Sequence, residues 1–351
     1  MMILEENKLL APLTTFGIGG PARWFVEATS EDEVVEATSW ARERGLPLFV
    51  LGGGSNLLVA DAGFHGLVMR VALSGIDERD GNGNGVLFRA AASEDWDGLV
   101  RRATAADCAG VECLAGIPGT VGGTPVQNVG AYGQEVAQVI ERVRAFDLRE
   151  REFVEFETGE CEFAYRKSRF NSTDRGRFVV TRVDYRLTIG GTPTLRYPDV
   201  ERAFAEGARP SLEEVAEAVR QIRRAKGMLL VEGDPDCRSA GSFFKNPIVP
   251  REQVWRVRTA AGKEPPQFPA RVEGKVKLAA AWLIEQAGFA KGYARGRAGI
   301  SSRHTLALVN LGGARGGATA SEVLALAGEI TGAVEKKFGV TLVAEPVLLG
   351  F

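Results

Sequence analysis

Apolar positions recur at helical spacing in three stretches, and each stretch opens on a polar cap. Ser30-Glu31-Asp32-Glu33 forms a capping box, and Val34, Val35, Ala37 and Trp40 follow at helical intervals up to Gly45. Ser211-Leu212-Glu213-Glu214 opens a second helix that gathers Val215, Val219 and Ile222 on one side. Thr319 with Glu322 opens a long third helix, striped by Val323, Ala327, Ile330 and Val334. Further helices are predicted over 95–106 and 277–287. Short apolar runs predict strands at 48–51, 67–71, 86–92, 143–146, 153–156, 179–187 and 305–310, with a closing strand over 341–347. The run from 179 alternates, putting Val179, Thr181, Val183, Tyr185 and Leu187 on one face. The Gly/Asn-rich segment 77–85 reads as the loop of a hairpin. Helices interleaved with antiparallel-looking strands predict an α+β (mixed α/β) chain, with breaks near 72 and 225.

Composition narrows the class. The 351 residues suit two or three domains, and a formal charge of -2 with both signs interspersed argues against a nucleic-acid or membrane-surface partner. No apolar run approaches the ~20 residues of a membrane span, and acids at Glu5 and Glu6 stand where a secretory signal carries bases. Four scattered Cys and only two His make a disulfide framework or a Cys/His metal site unexpected, so no metal is assigned and a cytoplasmic location is expected.

Glycine changes the picture most. It makes up 43 residues, about 12% against a usual ~7%, without a period. Two Gly-rich turns stand out: Gly52-Gly53-Gly54-Ser55-Asn56 after a strand, and Gly116-Ile117-Pro118-Gly119-Thr120-Val121-Gly122-Gly123, 64 residues on. Without Cβ atoms, such backbones can turn several N–H groups onto phosphate oxygens. A tight structural turn explains each equally well. Neither is a Rossmann fingerprint or a Walker loop, and the 12 residues from Gly54 to Leu67 barely accommodate a crossover helix.

Six segments, spread in order over nearly the whole chain, resemble the UDP-N-acetylenolpyruvoylglucosamine reductase (MurB) family. They are Thr14-Thr15-Phe16-Gly17-Ile18-Gly19-Gly20-Pro21-Ala22; Leu51 to Asn56; Ile117 to Gly123 with Asn128-Val129-Gly130-Ala131-Tyr132-Gly133; Tyr165-Arg166-Lys167-Ser168-Arg169-Phe170; Ser239-Ala240-Gly241-Ser242-Phe243-Phe244-Lys245-Asn246-Pro247; and Glu345-Pro346. Tyr197 and the Pro125-Val126-Gln127-Asn128 run are similar to the longer, type I branch, which keeps a substrate-closing tyrosine loop. The resemblance implies two FAD-binding subdomains of the PCMH/vanillyl-alcohol-oxidase type, 1–72 (with 344–351) and 73–225. A UDP-sugar substrate-binding domain over 226–343 completes the implied fold. The turns would then hold FAD through Gly52, Gly53, Gly54, Ser55, Asn56, Gly116, Gly119, Thr120, Gly122, Gly123, Asn128 and Gly130. Neither turn contains His or Cys, so noncovalent FAD is implied, and His65 is read as a loop or packing residue.

The implied reaction is NADPH-dependent reduction of UDP-N-acetylglucosamine enolpyruvate to UDP-N-acetylmuramate, a peptidoglycan precursor, by a monomer. Hydride arriving at the β carbon leaves negative charge on the α carbon and its carboxylate, so the site must supply fixed positive or hydrogen-bonding groups and one proton. Arg166 can fork onto the carboxylate, although alone it could be a loop ion pair. Glu345, among apolar residues, could be half of a buried ion pair. The resemblance places it beside the substrate carboxylate, where a raised pKa would let it donate a hydrogen bond. Ser242 reads alone as a turn residue and by resemblance as the proton donor. Tyr197, Lys226 and Asn246 are the implied substrate-binding residues. Lys226 also suits a helix C-terminus, and Ser242 lies 16 positions beyond it. His304 is given no role. Two rival readings remain: another FAD-dependent oxidoreductase of this fold, and a flavin-free nucleotide-sugar-binding protein whose turns are only structural.

Overall fold

The computed structural model describes residues 2–81, 83–270, 272–312 and 316–351. The chain forms two compact units. One comprises Met1–Lys8, Ala22–Gly54 and His65–Ala225, and the other Leu9–Pro21, Ser55–Phe64 and Lys226–Phe351.

In the first unit, strands Leu4–Leu9, Pro21–Ala28, Phe64–Val71 and Leu48–Leu51 lie side by side in that order, the last two parallel. Helix α1 (Glu31–Glu43) starts where expected: Ser30 Oγ accepts the Glu33 N–H, and the Glu33 carboxylate reaches back to Thr29 N and Oγ1. Its face of Val34, Ala37 and Ala41 packs on Val26, Leu67 and Met69, and on Phe146 and Val179 of a second sheet. That sheet is antiparallel: Phe153–Glu157, Ile140–Asp147, Phe178–Ile189, Gly85–Ala91 and Ile76–Asp80, with Cys108–Ala109 added beside Phe178–Ile189. The strand expected to alternate is thus central and buried along most of its length, but it does not keep one face. Val179 and Thr181 lie on the α1 side, whereas Val183, Tyr185 and Leu187 lie in the larger core. The register shifts at Thr181, where Arg144 and Ala145 pair with Arg182 and Val180. Helices α2 (Trp96–Ala105), α3 (Pro198–Glu201) and α4 (Leu212–Ala225) complete this unit, and Leu99, Val100, Val215 and Val219 join its larger core.

The segment 77–85 departs from expectation. Ile76–Asp80 is an edge strand paired from Ile76↔Ala90 to Asp80↔Val86, and only the turn beyond Asp80 is loop. Its charged side chains are exposed, as an edge strand tolerates. Asn82 of that segment lies outside the described residues. His65 is an exposed residue near the start of strand Phe64–Val71 rather than a loop or packing residue.

The second unit contains α5 (Arg251–Ala261), α6 (Ala280–Gln286) and α7 (Ala320–Phe338) with two three-stranded sheets. Thr319 and Glu322 form the expected reciprocal cap on α7, and the Asp61 carboxylate takes the Ala320 and Ser321 amides at 2.7 and 3.0 Å. Val323, Ala327, Ile330 and Val334 are buried with Leu283, Ile284, Phe243 and Phe244. Three expectations are corrected here. Residues 277–278 finish strand Lys275–Leu278, and the helix begins only at Ala280. The strand expected at 305–310 shortens to Leu308–Asn310. The closing strand is displaced to Val347–Leu349, which pairs in parallel with Leu57–Val59. Upstream, Val343 and Glu345 bond instead to Lys245 and Phe243; Pro346 lacks an N–H, and the chain changes partners there.

Candidate active site

Within the first unit the two Gly-rich turns meet backbone to backbone. A Cβ on Gly53 would stand 2.7 Å from Gly119 Cα and 3.2 Å from Thr120 N, and one on Gly52 would stand 3.1 Å from Thr120 Oγ1. Gly54, Gly116 and Gly119 take positive φ of 61°, 68° and 127°, which side chains resist. Among the described residues no protein acceptor takes the backbone N–H of Gly52, Gly53, Gly54, Gly119 or Thr120. A narrow cradle of neutral amides, with the Thr120 hydroxyl at its edge, fits a diphosphate. The donor set therefore suits the FAD that the two turns were expected to hold.

The remaining residues of these turns serve the protein. Gly116 donates to Asp97 Oδ1 at 2.6 Å, Gly122 to Ala92 O and Gly123 to Thr120 O, both at 2.9 Å. Asn128 is buried, and its amide group donates to Ala164 O at 3.1 Å and accepts from Ala137 N at 3.2 Å. Gly130 presents its carbonyl to Arg166. These residues shape the turn rather than offer free donors. Ser55 and Asn56 lie in the second unit, where Ser55 O accepts from Thr15 Oγ1 and Asn56 Nδ2 donates to Glu345 O, both at 3.4 Å.

Arg166 sits in a tight turn closed by Ala164 and Lys167, with φ +53°. Its Nη2 donates to Gly130 O at 2.8 Å, and Asn171 Nδ2 donates to its carbonyl. Fully buried Ser168 fixes the loop by donating to Val126 O at 2.6 Å. Asn128, Tyr132 and Arg166 all hold left-handed backbones at 47°, 47° and 53°, a concentration of strain of the sort found at binding sites.

In the second unit, Ser242 follows Gly241 (φ +70°), and Phe243 N donates to Leu306 O at 2.7 Å. Glu345 N donates to Phe243 O at 2.8 Å, so main-chain bonds seat Glu345 beside the residue that follows Ser242. Glu345 is half-buried and precedes the last strand instead of lying on it. Asn246 Oδ1 accepts from Ala280 N at 2.9 Å and so caps α6. Lys226 is half-buried just past the end of α4. Leu306 N donates to His304 Nδ1, a local turn contact. In the first unit, Tyr197 precedes α3 and meets Tyr132 edge to face at 5.2 Å. Burial pushes the Cys113 and Cys161 thiols up to about 12, which leaves them unreactive.

Sequence reasoning missed the charges behind the second turn. Asp97 receives a forked Arg220 at 2.9–3.1 Å as well as the Gly116 amide. Burial opposes ionisation of Asp97, but these hydrogen bonds and the nearby arginines outweigh it and hold the carboxyl below its ordinary value. Arg223 Nε donates to Gly116 O at 2.9 Å. The signal was present: Arg220 and Arg223 continue the buried stripe of Ala216 and Val219 on α4.

Comparison with known proteins agrees with this geometry. Residues 22–154 match the FAD binding domain family, and residues 234–349 match the UDP-N-acetylenolpyruvoylglucosamine reductase, C-terminal domain family. The UDP-N-acetylenolpyruvoylglucosamine reductase of Streptomyces coelicolor is 48% identical over 97% of this chain and 89% of its own length. That of Thermobifida fusca is 45% identical over 98% of both chains. The crystal structure of the Thermus caldophilus enzyme, at 29% identity, covers 99% of this chain and 100% of its own with a TM-score of 0.66. A mixed α+β chain that joins an FAD-binding domain to this C-terminal domain belongs to the UDP-N-acetylenolpyruvoylglucosamine reductase family of FAD-dependent oxidoreductases.

Proposed function

We propose that the chain reduces UDP-N-acetylglucosamine enolpyruvate to UDP-N-acetylmuramate with electrons from NADPH, supplying a peptidoglycan precursor in the cytoplasm as a monomer. The observation that carries the reading is the cradle of undonated amides where Gly53 meets Gly119. Gly52, Gly53, Gly54, Gly119 and Thr120 would hold the FAD diphosphate noncovalently, with Gly116, Gly122, Gly123, Asn128 and Gly130 fixing the turn, and Ser55 and Asn56 continuing the first loop. FAD held in this cradle would supply hydride to the enolpyruvyl double bond. Arg166, its guanidinium braced on Gly130 O, holds the substrate carboxylate as charge builds there. Glu345 lies beside that carboxylate, and the Ser242 hydroxyl gives its proton to the α carbon. Tyr197, Lys226 and Asn246 bind the UDP portion, Asn246 through atoms not occupied by the α6 cap. In domain terms, 1–72 (with 344–351) and 73–225 serve FAD and 226–343 serves the sugar nucleotide.

Stopped-flow of both half-reactions tests this. Ser242→Ala should leave flavin reduction by NADPH intact and slow reoxidation by UDP-N-acetylglucosamine enolpyruvate at least ~100-fold. Equal reoxidation rates in variant and wild type would refute the role of Ser242. Failure of the wild type to reoxidise with this substrate would refute the function.

A further inference from the structure

We propose that Arg223 is a positioning residue that steadies the FAD diphosphate turn and the substrate tyrosine from a single guanidinium. The inference deepens the proposed function and rests on it for the substrate half. Arg223 is only 7% exposed, on the core-facing side of α4. Its Nε donates to Gly116 O at 2.9 Å, while the amide of the same glycine is fixed by Asp97, itself forked by Arg220. Both polar groups of the Gly116 residue are thus gripped by charged side chains, Arg223 buried and Asp97 half-buried, three positions before Gly119. A glycine at φ +68° has wide conformational freedom, and this grip removes it.

The guanidinium is also hydrogen-bonded to the Tyr132 side chain. Tyr132 packs edge to face on Tyr197, with ring centroids 5.2 Å apart and planes at 85°. One side chain therefore reaches the cofactor turn directly and the substrate tyrosine through one intermediate ring. A lysine cannot reproduce this, because it lacks the planar fork that serves two acceptors in different directions. A core arginine with a purely structural role would stabilise the fold without any selective effect on either ligand.

Two variants test the assignment in the purified holoprotein. FAD release on dilution is read from flavin fluorescence, alongside steady-state kinetics with UDP-N-acetylglucosamine enolpyruvate. Loss of a hydrogen bond from a buried charged donor predicts that Arg223→Lys raises the FAD Kd by about tenfold to a hundredfold. It should also raise KM for the sugar nucleotide, while kcat of the flavin-loaded fraction stays within about threefold. Tyr132→Phe keeps the Gly116 contact, so its FAD Kd should stay within about twofold while KM rises about threefold or more. Wild-type FAD release in Arg223→Lys would overturn the cofactor half. An unchanged KM in Tyr132→Phe would overturn the substrate half, and this variant decides alone if Arg223→Lys does not fold. A wild type that binds FAD but is not reoxidised by the sugar nucleotide refutes the function instead, and FAD release still judges the grip on Gly116.

Discussion

Gly53→Ala is the most direct test of the cradle. The new methyl would lie 2.7 Å from Gly119 Cα, 3.0 Å from Gly119 C and 3.2 Å from Thr120 N. All three are backbone atoms of a turn held by Asp97, so no flexible side chain can swing aside. Forcing a methyl into such a contact typically costs about 1–3 kcal/mol. If the two loops separate to admit it, amides from opposite sides can no longer close on one diphosphate. Loss of one charge-assisted hydrogen bond adds about 1.5–3 kcal/mol. Together these predict an FAD Kd raised at least ~100-fold, measured by fluorescence on dilution of the holoprotein. Gly123→Ala is the matched control: nothing lies within 4 Å of the added carbon, and its amide is already bonded to Thr120 O. It should bind FAD within about threefold of wild type. Wild-type FAD affinity in Gly53→Ala would show that the cradle is not where the diphosphate sits.

Asp97→Asn should lower Tm by about 5 °C or more at pH 7, because it leaves Arg220 buried without its carboxylate. The folded chain holds the Asp97 carboxyl below its ordinary value of 3.8. Its stabilisation is therefore fully present above that value and is lost as pH falls through the lower folded value. The Tm gap between variant and wild type should be flat from about pH 8 to 5 and close only in stronger acid, and a gap that closes near neutrality would refute the ion pair. Asp61→Ala removes the carboxylate that caps Ala320 and Ser321 at the start of α7, and should cost about 1–2 kcal/mol in denaturant unfolding. An unchanged unfolding midpoint would show that the Thr319–Glu322 cap suffices.

Local grammar was the legible part of this chain. Ser30, Ser211 and Thr319 begin helices because their hydroxyls take amides three residues on, a relation contained in four consecutive letters. The central strand was legible from its long apolar run, but its change of face was not, because the extra residue at Thr181 shows only against the register of the partner strand. What failed depends on distant partners. Ile76–Asp80 is a strand only because Gly85–Ala91 lies beside it, and its charges imitate a loop. Helix α5 escaped notice because only Val257 along it is buried. At the site, residue types marked the glycine turns. Which amides stay undonated depended on Asp97 and Ala92, 19 and 30 positions away from Gly116 and Gly122, and no local pattern carries that.

The division of the chain has a consequence for any attempt to dissect it. Residues 234–349 match a family in their own right, yet the unit containing them also recruits Leu9–Pro21 and Ser55–Phe64. Excised alone, such a fragment would leave Val347–Leu349 without Leu57–Val59, the Asn310 amide without Phe16 O, and the first turn of α7 without Asp61. The third of the chain that matches as a module is therefore not a piece that ribosomal synthesis could finish separately: its scaffold is threaded early, waits through more than a hundred intervening residues, and closes only when the C-terminus emerges.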